Sequence, residues 1–152
     1  MSLAVPNGGT LIDRELMGEA AEQAAQRATT LPKVELDASG VSDLLMIAVG
    51  ALSPLSGFMD QVQYEAVVES MRLPGGELMG LPVTLPVDAQ RAQELKIGDE
   101  VALMADGVEL ALMRIDDIYA YDKLRQARIV FGTDDPAHPG VHRLLRQGDW
   151  LV

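Results

Sequence analysis

The sequence predicts an α+β fold, with helices in both halves of the chain and the second half the more β-like. Three observations carry this. Tyr64, Val67, Val68 and Met71 recur at i, i+3, i+4 and i+7 behind the capping pair Asp60 and Gln63, the pattern of one amphipathic helix. Asp106-Gly107 separates two apolar runs, Glu100 to Ala105 and Val108 to Ile118, and a turn that tight needs positive φ at both positions, as a hairpin does. Leu81 to Val87 reads as a strand interrupted by Pro82 and Pro86, which lack a ladder N–H and so mark a sheet edge or a barrel rim.

The other elements follow in order. Residues 1–9 read as irregular, with turns at Pro6 and Gly8-Gly9, and Met1-Ser2-Leu3 as a cloning remnant. A helix rich in Ala, Glu and Gln is expected from Arg14 to Ala28, capped by Asp13 and stopped at Leu31-Pro32. Lys33 to Leu36 alternates polar and apolar, as a short half-buried strand does. Ser42 is the expected cap of a second helix, with Asp43 at its positive end and Gly50 closing it. The loop Leu52 to Phe58 leads into the Asp60 helix, which ends at Leu73-Pro74-Gly75-Gly76. Asp88 caps a short helix to Leu95, and Lys96 to Asp99 forms a turn. Asp122 caps a helix to Phe131 closed by Gly132, and Pro139 starts a last helix, 139–147, closed by Gly148. Trp150 to Val152 opens a further strand where the sequence stops, so a piece of a longer protein is expected.

Composition narrows the function classes. The 152 residues fit one domain, and 48% are hydrophobic, enough for a core. Twelve Lys and Arg stand against 23 Asp and Glu, a net charge of −11. Such a chain repels phosphate backbones and anionic lipid, because nucleic-acid affinity rests on cations that displace counterions. The six aromatic residues are scattered, so no stacking platform for single strands is expected. There is no cysteine, which removes disulfides, thiolate catalysis and Cys-based zinc sites. No apolar run approaches the roughly 20 residues of a membrane span, and no basic segment precedes an apolar one at the N-terminus. These points favour the cytoplasm, with no nucleic-acid or membrane partner.

Candidate chemistry is sparse. No GxGxxG or GxxxxGK[ST] pattern occurs, so Gly8-Gly9 is read as a turn rather than a phosphate cradle. His138 and His142 have the spacing of paired metal ligands, but Pro139 and Gly140 lie between them and no third histidine exists. Asp116-Asp117 would point to opposite faces of a strand, and Asp134-Asp135 sits before Pro136 in a loop. Ser53 and Ser56 lie in no GxSxG elbow and suit pairing with turn backbone. Met46 and Met71 are expected as core filler. No catalytic, cofactor-binding or metal residue is assigned from these patterns.

Several segments resemble the N-terminal domain of ATP sulfurylase (sulfate adenylyltransferase). They are Pro6 to Leu11, Leu31-Pro32-Lys33, Ser42-Asp43-Leu44, Gly50 to Met59, Tyr64 to Val68, Met71-Arg72-Leu73, Leu81 to Leu85, Gly98 to Val101, Tyr119, and Phe131 to Val141. The resemblance implies a PUA-like β pseudo-barrel with several peripheral helices, as the single domain 1–152. Two departures matter. Asn7 stands where the family has His in Pro-His-Gly-Gly. The family's catalytic segments, Gln-x-Arg-Asn-Pro and His-x-x-His, are missing, since Asn7 is the only asparagine and the two histidines are misspaced.

The family joins ATP and sulfate into adenosine 5′-phosphosulfate and pyrophosphate. ATP and magnesium are thus implied for the parent's catalytic domain and no cofactor for this chain. The implied role is a non-catalytic scaffold partnered in cis by the catalytic domain; the sequence leaves a homo-oligomer open and does not fix the oligomeric state. A stand-alone PUA-like module that contacts a sulfur-metabolism partner or RNA is the alternative, and an enzyme with an unrecognised site is a third.

Overall fold

A computed structural model describes residues 4–152, so Met1-Ser2-Leu3 lies outside the described residues. The chain divides into two compact units. The first comprises the chain up to Phe58 together with Gly98–Ile115, and the second Met59–Ile97 and Asp116–Val152. Each has its own three-stranded sheet, neither closed into a barrel, with helices around it. No helix among the described residues is long and apolar enough to cross a membrane.

In the first unit, β1 (Lys33–Glu35) lies parallel to β3 (Glu100–Ala105), which pairs antiparallel with β4 (Val108–Arg114). The β3–β4 turn is the expected one, with φ of 51° at Asp106 and 78° at Gly107. A bulge interrupts the register after Leu103. Val101, Ala102 and Leu103 are buried, as is Val34 on β1. β4 stops at Arg114, short of the expected Ile118, because Ile115 turns back to pair with Gly98 and Asp99. Ile115 N donates to Asp99 O and Gly98 N to Ile115 O.

Two helices of this unit start elsewhere than expected. α1 (Gly18–Ala28) begins four residues late, because Asp13 folds onto Glu15 N in a local turn rather than capping the helix. α2 (Ala38–Ala48) begins at Asp37, whose carboxylate accepts from Gly40 N at 2.8 Å. Asp37 thus takes the capping role expected of Ser42. Gly50 does close the helix, with φ 74°. A Cβ there would meet Leu11 Cδ1 at 2.7 Å and Ile12 O at 2.9 Å.

In the second unit, β6 (Trp150–Leu151) is central, flanked antiparallel by β2 (Pro86–Val87) and β5 (Tyr119–Ala120). The expected strand from Leu81 is regular only at its end, where Pro86 and Val87 pair with Leu151 and Trp150. α3 (Gln61–Ser70) carries the full reciprocal cap. Gln63 N donates to Asp60 Oδ1 at 2.8 Å and Asp60 N to Gln63 Oε1 at 3.3 Å. Tyr64, Val67 and Val68 are buried, but Met71 is exposed. Met71 ends α3 in the left-handed region at φ 53°, which turns its side chain out of the stripe. Met46 on α2 is also exposed, and Met59 and Met79 are the buried methionines instead.

Asp88 caps α4 (Ala89–Glu94) and Asp122 caps α5 (Lys123–Gln126), both as expected. A π-turn, Ala127–Phe131, continues α5 up to Gly132. α6 (Pro139–Arg146) has Pro in its first turn. Gly148 does not close α6 by a left-handed residue. It is needed for close approach, because an added Cβ would fall on the Val87 carbonyl.

Candidate functional site

The segment Val49 to Leu73 carries most of the sequence signal, and its two halves are anchored differently. In its loop half, Ser53 is buried, at 3% exposure. Its hydroxyl donates to Gly50 O at 2.6 Å and accepts from Ile12 N at 2.9 Å. Both bonds go to backbone, so the hydroxyl pins the N-terminal strap at residue 12 to the end of α2. A nucleophile needs a base beside it, and the groups bonded to this hydroxyl are amide and carbonyl. Arg14 N donates to Ala48 O at 2.8 Å and fixes the same strap further on. Ser56 is exposed, and the Ser53-Pro54 peptide bond is cis.

In its helix half, α3 presents Tyr64 to a cluster holding all three tyrosines of the chain. The Tyr64 ring lies 5.8 Å from Tyr119, tilted, and 5.9 Å from Tyr121, edge-on. Each hydroxyl is satisfied: Tyr64 donates to Gln126 Oε1 at 2.9 Å, Tyr119 to Met59 O at 2.8 Å, and Tyr121 to Gly148 O at 3.0 Å. Burial pushes all three phenols well above their ordinary range, so they stay neutral donors. Periodicity found Tyr64 but not its partners. The only trace of them in the sequence is Tyr119 and Tyr121 two residues apart, as on one face of a strand.

Cationic side chains brace this cluster. Arg125 on α5 forms ion pairs with Glu65 at 2.7 Å and Glu69 at 2.8 Å, both on α3. The Glu65 hydrogen bond raises the Arg125 pKa further, so the guanidinium stays charged. Lys123 pairs with Asp149 at 2.7 Å, donates to Gln147 O, and lies 5.9 Å from the Tyr121 ring centre.

The carboxylate and histidine pairs are engaged in local structure. Asp116-Asp117 sits in the connection after β4, not in a strand. Asp117 accepts from Gln61 N at 3.0 Å and from Ile118 N at 2.9 Å, which adds a second anchor at the start of α3. Asp134 pairs with Arg128 at 2.7 Å, and that hydrogen bond holds its pKa below the usual carboxylate range. Asp135 accepts from Ala137 N at 2.8 Å. His138 is the cap of α6: its Nδ1 accepts from Gly140 N at 3.2 Å and Val141 N at 3.4 Å, and its ring lies 5.2 Å from Phe131. His142 is exposed one turn later. Among the described residues no group of three His, Asp or Glu side chains could hold a metal ion, and no buried side-chain polar atom lacks a partner. The arrangement is suited to fixing segments against one another.

The family model described as a PUA-like domain matches residues 4–152. A sulfate adenylyltransferase from Symbiobacterium thermophilum is 52% identical over 145 residues, which cover 95% of this chain and 37% of that protein. One from Synechococcus sp. is 44% identical over 94% of this chain and 37% of its own length. The chain therefore spans little more than a third of the curated relatives it matches. A solved structure described as a hexameric APS kinase from Thiobacillus denitrificans superposes with a TM-score of 0.69 at 30% identity, over 80% of this chain and 24% of that one. With the match running from residue 4 to residue 152, this chain belongs to the PUA-like domain family.

Proposed function

We propose that this chain is the N-terminal scaffold domain of a sulfate adenylyltransferase and does not catalyse by itself. The observation that carries the reading is the 52% identity over 95% of the chain to an enzyme of that name, of which the chain covers 37%. The parent reaction transfers the adenylyl group of ATP to sulfate and releases pyrophosphate. It requires cationic and backbone donors around the phosphates, with magnesium. ATP and magnesium are assigned to the part of the parent outside this chain, in keeping with the relatives' greater length. The parent's partner arrangement is a catalytic domain in cis within a cytoplasmic homo-oligomer. The cysteine-free, acidic composition is in keeping with that compartment.

An adenylylation assay with ATP, sulfate and pyrophosphatase tests the reading on the 152-residue chain and on the full-length polypeptide side by side. The expected result is turnover by the longer protein and none above background by the shorter. Turnover by the 152 residues alone overturns the scaffold role, and an inactive longer protein overturns the assignment to this enzyme.

A further inference from the structure

We propose that the outward face of α2, extended by Leu11, is a docking surface for the remainder of the longer polypeptide. The inference rests on the scaffold reading given above. α2 has a buried face made by Gly40, Leu44 and Ile47. Its other face carries Leu45, Met46 and, at the C-cap, Val49, exposed by 56%, 43% and 50%. The spacing 45, 46, 49 places them together on one side of the last turns. Leu11 is 56% exposed and lies on Gly50, immediately beyond Val49. The Ser53 and Arg14 bonds hold the strap that carries Leu11 against this end of the helix. The result is a fixed apolar patch on a helix whose only charged residue is Asp43, in a chain where 23% of residues are charged. Contiguous apolar surface of this kind marks an interaction site.

The occupant follows from charge and length. Membrane-surface helices carry Lys and Arg on their polar face, and α2 has neither. A second copy would set this face of one chain against the same face of another. Across a two-fold axis it would set Asp43, the only charge of α2, and the net-negative strap Asp13-Arg14-Glu15 against their own copies. A different surface, apolar at its centre with Lys or Arg at its rim, meets neither objection. The relatives supply a source, because the chain covers only 37% of their length. A covalently linked partner also needs only a modest patch, since linkage raises its effective concentration.

Side-chain oxidation by hydroxyl radicals tests this on the full-length polypeptide and the 152-residue chain at equal dose. Met46 is the reporter, with Leu11, Leu45 and Val49 read alongside. The expected result is oxidation of Met46 about tenfold slower in the longer protein, as a covered thioether reacts slowly. L45Q with V49T in the longer protein should bring the Met46 rate back toward that of the short chain. Equal rates in the two unmodified proteins overturn the proposal. Protection of the short chain that grows with its concentration also overturns it, in favour of a second copy. The adenylylation assay separates the two claims. Protection in a longer protein that cannot adenylylate sulfate keeps the docking surface and removes the enzymatic reading. Equal oxidation in an active enzyme removes the docking surface alone.

Discussion

In the first unit, β3 and β4 run for six and seven residues and share a continuous ladder, broken once by a bulge. In the second unit, β2, β5 and β6 are two residues each. A two-residue pairing supplies few backbone bonds, so side chains there take over part of the work of alignment. Tyr119, on β5, is tied to Met59, and Tyr121, just after it, is tied to Gly148 beside β6. The difference is one of mechanism: a long sheet is specified by register, a short one by the hydroxyls buried around it. A long ladder tolerates the loss of one bond, whereas a short sheet depends on each fixed point.

The sharpest way to break the second sheet is Gly148→Ala. Its new Cβ would overlap the Val87 carbonyl, a backbone atom that cannot swing aside, so a loss of about 3 kcal/mol or more is expected in urea unfolding. High pH attacks the same region through the phenols. Their pKa values are raised in the folded state, so the stability they contribute is present below pH about 10 and is lost as pH rises. Absorbance at 295 nm should therefore show no tyrosinate until the second unit opens. Early titration of three independent phenols would contradict the buried cluster.

Tyr64→Phe is a milder probe. It leaves Gln126 Oε1 buried without its donor, which costs about 1–3 kcal/mol. Adding Gln126→Leu should recover much of that loss, because an apolar pair of similar shape has nothing left unsatisfied. A double mutant no better than the single one would mean that the hydroxyl matters for another reason. In the first unit, Ser53→Ala removes the acceptor of Ile12 N, for an expected cost of about 1–2 kcal/mol. The effect should be local, with faster amide exchange at Ile12 and little change along β3. The smallest effect concerns Arg128 and Asp134. The Asp134 pKa is lowered, so its contribution is present above the ordinary aspartate range and disappears as pH falls below about 4. Asp134→Asn should therefore lower stability slightly at neutral pH and flatten the acid limb, so that the variant and the parent converge below pH about 4.

Local signals in the sequence located most elements. Asp60, Asp88 and Asp122 each cap a helix through a bond to the amide three residues on, and Asp106-Gly107 makes its hairpin. Such bonds span few residues, so a short window contains all of their causes. What stayed hidden was long-range. Nothing near Gly148 says that Val87 will lie against it, and nothing near Tyr64 says that Tyr119 and Tyr121 will surround it. α2 starts earlier than the Ser42 signal predicts because Asp37 and Ser42 are both good caps, and the burial of Gly40 and Leu44 favours the earlier one. Met46 and Met71 fit a periodic apolar stripe, yet one lies on the outward side of its helix and the other ends its helix in a left-handed turn. Ser53 and Ser56 look alike in sequence, and the bonds to Gly50 O and Ile12 N set Ser53 apart.

The division into two units also bears on how the chain is made. The first unit is split by Met59–Ile97, and β1 finds its neighbour β3 only in the returning stretch Gly98–Ile115. During synthesis, Lys33–Glu35 must therefore wait, unpaired, while all of α3 and α4 emerges before its partner strand appears. Pairing across so many residues is slow, and a waiting strand is open to wrong partners. The Asp60 and Asp88 caps are each complete within a few residues, so the segments that emerge during that wait carry their own local signals.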